Sequence, residues 1–146
     1  MGKKIINNVW IFCHYAQQPP YNTMLRYHNW GKELVNRGYK VTIVAASTVH
    51  NTDIDVIEKI GSEKNVCCGI NYLYIKTPRY SGNGFRRMKN MFKFGVCLKS
   101  VNRTEKPDVI IVCEAYLYLF ARYFYKNIPI ITDIVDLWPA SIVEYS

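Results

Sequence analysis

The stretch "ELVNRGYKVTIVAAS", Glu33 to Ser47, ends an amphipathic helix and begins a buried strand within a few residues. Leu34 and Val35 close a helical stripe that starts with Met24, Tyr27 and Gly31, predicting a helix over Thr23 to Arg37. The pair Arg37-Gly38 supplies its stop. "KVTIVAAS" then runs apolar on both faces, which suits a parallel strand covered on two sides rather than a half-wet antiparallel one. Working outward, "IINNVWIFC", "GINYLYIKT", "VIIVCE" and "IPIITDIV" read as further strands. Between them lie helical segments near 84–103 and 116–126. This alternation gives an α/β fold class: a single Rossmann-like, doubly wound parallel sheet with helices on both faces. In such sheets a ligand sits beyond the carboxyl ends of the strands, so residues 14–23, 47–51, 77–84, 114–116 and 133–139 are the ones to inspect.

A chain of 146 residues, 49% hydrophobic and 14% aromatic, holds one domain with one real core. Only "MGKK" precedes the first apolar run, and no run approaches the roughly 20 residues of a spanning helix, so a cytoplasmic or peripheral protein is expected. The five cysteines form no CxxC pair, which disfavours a zinc site or a disulfide framework. The net charge of +8 is localised: Lys76 to Arg103 contains eight basic residues and no acid, and the other eleven basic residues match the eleven acids. Such concentration points to an anionic partner.

Several motif classes are absent. No GxGxxG follows the first strand, where "HYAQQPPYNT" stands, and no GxxxxGK[ST] or GxSxG occurs. Asn22 or Thr23 is expected to cap the first helix, its amino end open to a phosphate oxygen. His14 and His50 follow the first two strands and could bond a sugar hydroxyl or exchange a proton, as could Ser47 and Glu114 at the same edge bond a substrate. His28, mid-helix, reads as structural. Asp133 and Asp136 lack a third ligand, so no metal is expected.

"PRYSGNGFRRMKNMFKF", Pro78 to Phe94, is the most distinctive segment. Ser81, Gly82, Asn83 and Gly84 make a flexible turn whose amides suit an anion. Arg86, Lys89 and Lys93 share one helical stripe beside a broad apolar arc of Met88, Met91, Phe92, Phe94 and Leu98. The arc is wider than one sheet contact requires. Cations beside exposed apolar bulk suit an anionic membrane surface. Nucleic acid is not expected, with the aromatics assigned to the core-facing arc.

At "ELVNRGYKVTIVAAS", "YSGNGFRRMKNMFKF", "KPDVIIV" and above all "DLWPASIVEYS", the chain resembles the amino-terminal domain of family 4 glycosyltransferases of the GT-B type, in the branch building bacterial surface polysaccharides. The likeness spans essentially all 146 residues, and "DLWP" and "SGNG…R…N" are its more specific parts. It implies an acceptor domain for a glycan, often lipid-linked at the inner membrane face, with the nucleotide-sugar donor held mostly by a second domain. It further implies retaining transfer with no metal and no cofactor. Here Pro19, Pro20, Asn22 and Thr23 stand where the family commonly has glycines, Val135 replaces an arginine and Ala140 a glutamate. Asp136 is left as the polar candidate beside the reacting sugar. The chain ends at Ser146 without the paired-glutamate donor motif, so it is expected to be inactive alone. The rival expectation is a non-catalytic binding subunit that pairs with a separate donor-domain chain.

Overall fold

The structure, a computed structural model, describes residues 5–22, 25–50, 52–82, 84–103 and 105–134. Its elements are β1 (Asn8–Phe12), α1 (Arg26–Asn36), β2 (Lys40–Ala46), β3 (Ser62–Cys67), β4 (Ile70–Ile75), α2 (Phe85–Cys97), a 3₁₀ turn (Leu98–Arg103), β5 (Val109–Val112), α3 (Ala115–Phe124) and β6 (Ile130–Thr132). They build one six-stranded sheet in the order β3-β4-β2-β1-β5-β6. Every pairing is parallel except β3 with β4. Setting β3 aside, the order is that of a Rossmann half, 3-2-1-4-5.

The antiparallel strand β3 corrects the all-parallel expectation. Its sequence, "SEKNVC", is polar and mostly exposed, so it carries none of the hydrophobic signal that marks a buried strand. What makes it a strand is the two-residue turn behind it. Cys68 and Gly69 both have positive φ, 53° and 76°, which is the type I′ geometry that folds a chain back on itself.

The sheet pleat sends alternate side chains into two separate cores. Trp10, Phe12, Val44, Ala46, Leu73, Ile75, Ile110 and Val112 pack with Phe94 of α2 and Leu117 and Ala121 of α3. Ile11, Val41, Ile43, Ala45, Ile70, Tyr72 and Tyr74 form the other core, against which Tyr27, Leu34 and Val35 of α1 pack. Each fully buried side chain of this size contributes about 1.5–3 kcal/mol. Gly31 brings α1 close to the sheet: a Cβ there would lie 2.8 Å from Ile70 Cδ1. The helix stops as its sequence demands. Gly38, at φ 87°, donates to Val35 O and Tyr39 donates to Leu34 O, a Schellman closure. Asn22 does not cap this helix; its side-chain amide donates to Tyr15 O instead, and α1 begins after Leu25 without a side-chain cap.

Candidate functional site

The chain builds β2 and β4 on one side of β1, then returns to place β5 on the other. The switch point therefore falls between the ends of β1 and β5, where an α/β sheet opens its crevice. Here the protein's own side chains occupy it. The main-chain N–H of His14 donates to both carboxylate oxygens of Glu114, at 3.2 and 3.3 Å. The Cys13 thiol donates to the same carboxylate at 3.4 Å. His14 Nδ1 and the Tyr116 hydroxyl are 2.6 Å apart. Glu114 is also the residue that precedes α3, so one side chain ties the start of that helix to the end of β1.

Burial sets the protonation of this group. It pushes Glu114 up to about 7, opposed by the His14 amide and the Cys13 thiol. It pulls His14 down to about 3, helped by the positive charges of Arg87 and His50 and opposed by the neighbouring Asn90 amide. At neutral pH the imidazole is therefore neutral and Glu114 is poised near its midpoint. The Asn90 side chain sits beside the ring, and neither His14 Nε2 nor Asn90 Oδ1, both buried, has a partner at good hydrogen-bond geometry among the described residues.

A second layer joins the ends of β2 and β4. Ser47 is fully buried, its hydroxyl accepting the Thr77 N–H at 3.3 Å. Thr48 and Thr77 hydroxyls are 3.0 Å apart. Asn90, reaching in from α2, donates to Thr48 Oγ1 at 2.9 Å and to Pro78 O at 2.6 Å. Gln17 bridges the two layers by donating to the carbonyls of His14, Ala46 and Thr48. These polar residues hold the loops in place rather than facing outward.

The outer layer is aromatic and basic. His50 Nδ1 and the Tyr80 hydroxyl are 2.7 Å apart, and the His50 ring lies 5.2 Å from that of Tyr15. Arg87 Nε donates to the Tyr15 hydroxyl at 3.1 Å, with its guanidinium 5.7 Å from the ring centre. Burial, then Arg87, lowers the pKa of His50. Ser81, Gly82 and Gly84 form the exposed turn that delivers α2 to this layer, with Gly82 at φ 70°.

The structure thus brings His14, Ser47, His50, Glu114 and the turn before α2 to one edge. Arg86, Lys89 and Lys93 lie exposed along α2. Thr23, Asn83 and Asp136 lie outside the described residues, as does all of "DLWPASIVEYS". Tyr15, Gln17, Tyr80, Arg87, Asn90 and Tyr116 were not singled out in the sequence. Arg87, Asn90 and Phe94 stand at helical i, i+3, i+7 spacing, which marks an inward stripe carrying two polar residues. That signal was readable. Asp133 accepts from Arg26 at 3.1 Å and from Tyr27 at 3.1 Å, a tie between β6 and α1. Lys76 is paired with Asp55 at 2.6 Å, so one of the eight clustered cations is neutralised by an acid distant in sequence.

No protein-family model and no curated protein matches this chain. Its chemistry rests on the geometry alone. Among the described residues no group of three histidines, cysteines or acids could hold a metal ion. Two hollows lie away from the rim. One, of about 70 Å³, sits at the opposite strand ends by Trp10, Lys40, Asn71 and Glu105. The other is an open depression beside Arg122, Lys126 and Pro129. At the rim the part-exposed side chains are Tyr15, His50 and Arg87, two of them aromatic or heteroaromatic rings and one a cation.

Proposed function

We propose that this chain is the acceptor-side domain of a retaining glycosyltransferase that adds sugars to a lipid-linked glycan for a cell-surface polysaccharide. The observation that carries this reading is the outer layer of the rim, where the part-exposed Tyr15, His50 and Arg87 gather over the buried Tyr80 beyond the carboxyl ends of parallel strands. Aromatic rings offer flat faces to the C–H side of a pyranose, while imidazole and guanidinium bond hydroxyls and phosphate oxygens. In this reading a nucleotide-sugar is gripped largely by a second domain. The rim positions the acceptor, and no nucleophile from this chain is required because positioning and charge stabilisation carry the reaction.

The test is a titration of the chain with a short-chain polyprenyl-diphosphate glycan, followed by heteronuclear NMR, beside the free nucleotide-sugar. Preferential binding of the glycan, weakened about tenfold by Arg87→Gln through loss of one charged hydrogen bond, is the expected result. Tighter binding of the nucleotide-sugar than of the glycan would overturn the assignment.

A further inference from the structure

The exposed face of α2 is only half basic. Phe85, Met88 and Phe92 are 79%, 64% and 64% exposed, and Val96 continues their line one turn on. Arg86, Lys89 and Lys93 run beside them. Of the aromatics on this helix, Phe94 is buried in the core while Phe85 and Phe92 stand exposed.

The apolar line does not end at the helix. Gly95 lets α3 approach so closely that a Cβ would lie 2.5 Å from the Phe120 ring. Phe92 and Phe120 meet edge-on at 5.8 Å, and Phe120 stacks near Phe124. Leu119 and Tyr123, one helical step from Phe120, are 70% and 69% exposed. The seam between the helices is thus a continuous apolar strip. It is bordered by Arg86, Lys89 and Lys93 on one helix and by Arg122 of the other, with Lys126 just beyond that helix. Neither helix contains an acidic residue.

We infer that this two-helix face docks the protein on an anionic lipid bilayer, with the apolar strip in the interface and both cationic borders at the headgroups. The inference stands independently of the glycosyl-transfer reading. Charge complementarity selects the occupant. A second copy of the chain would bring cationic borders against each other, and a nucleic acid would engage the cations while leaving six large apolar side chains in water. A bilayer surface satisfies both components. No helix among the described residues is long and apolar enough to cross a membrane, so the contact is interfacial. Arg87 joins α2 to Tyr15 at the rim, which holds the rim close to the lipid surface.

The test is co-sedimentation of the whole chain with vesicles of equal parts phosphatidylglycerol and phosphatidylcholine, and with phosphatidylcholine alone. Binding to the first and not the second, falling with added salt, is expected. The variant R86Q/K89Q/K93Q weakens partitioning on the order of 100-fold. F85S/M88S/F92S weakens it by about tenfold or more, and Phe92→Trp gives a blue-shifted emission on vesicle addition. Far-ultraviolet circular dichroism establishes that each variant is folded. Absence of binding to anionic vesicles, or binding that both triple variants leave unchanged, overturns the inference. So does self-association in the ultracentrifuge that F85S/M88S/F92S abolishes while vesicles leave the wild type unbound, since that would assign the face to a second copy.

Discussion

Replacing Glu114 by Gln keeps an acceptor oxygen for the His14 amide and removes a charge from an apolar crevice. The carboxyl lies near 7 in the fold against an ordinary 4.5. A group whose folded value is raised stabilises the native state fully below its unfolded value and loses that contribution as pH rises through the folded one. Wild-type stability from this residue therefore falls across roughly pH 4.5 to 7, and the whole displacement is worth about 3 kcal/mol. The assay is urea unfolding of both proteins at intervals from about pH 5 to pH 8, reading the difference in unfolding free energy. His14 titrates alike in the two, so it cancels. The difference should drift in favour of Glu114→Gln by about 2.5 kcal/mol between about pH 5 and pH 8, the rest of the displacement lying below that range. A difference constant across the range would show that Glu114 is not held in a low-dielectric crevice, and the reading of the switch point would fail with it.

Three more outcomes follow from the same framework. Burial depresses His14 to about 3, so its own contribution to stability falls as pH drops from about 6.5, opposite in sign to that of Glu114. The stability difference between His14→Phe and wild type should shift in favour of the variant as pH is lowered from about 6.5 in urea titrations. Asn90→Leu removes both donors that join α2 to Thr48 and Pro78, and should lower stability by about 2–3 kcal/mol, moving the urea midpoint down by about 1 M. Gly69→Ala, at φ 76° with its Cβ 2.9 Å from Val35 Cγ1, should cost about 1–2 kcal/mol and several degrees in thermal midpoint.

The parallel sheet was legible because its strands are buried on both faces. "KVTIVAAS", "VIIVCE" and "IPIITDIV" announce themselves as runs without alternation. β3 was not, since an edge strand one residue pair from a turn needs no apolar residues, and only the conformation of Cys68-Gly69 makes it pair. At the rim, position along the chain located the right loops, but not which side chains face a ligand. Ser47 and His14 look available in the sequence and are instead fully buried. Tyr15 looks like a packing residue and is instead part-exposed beneath Arg87, while Tyr80 is buried and reaches His50 from below. That depends on the register of α2 against the sheet, a tertiary fact. Likewise the apolar arc of α2 was recognised as too wide, while its continuation across Gly95 onto α3 depends on how two helices meet.

The most direct measurement is a map of backbone amide shifts as a polyprenyl-diphosphate glycan is titrated into the isotope-labelled chain. Perturbations concentrated in residues 14–18, 47–50, 77–87 and 113–116 are the result expected of an acceptor rim. Shifts clustered instead around Trp10, Lys40, Asn71 and Glu105, at the opposite strand ends, would contradict it.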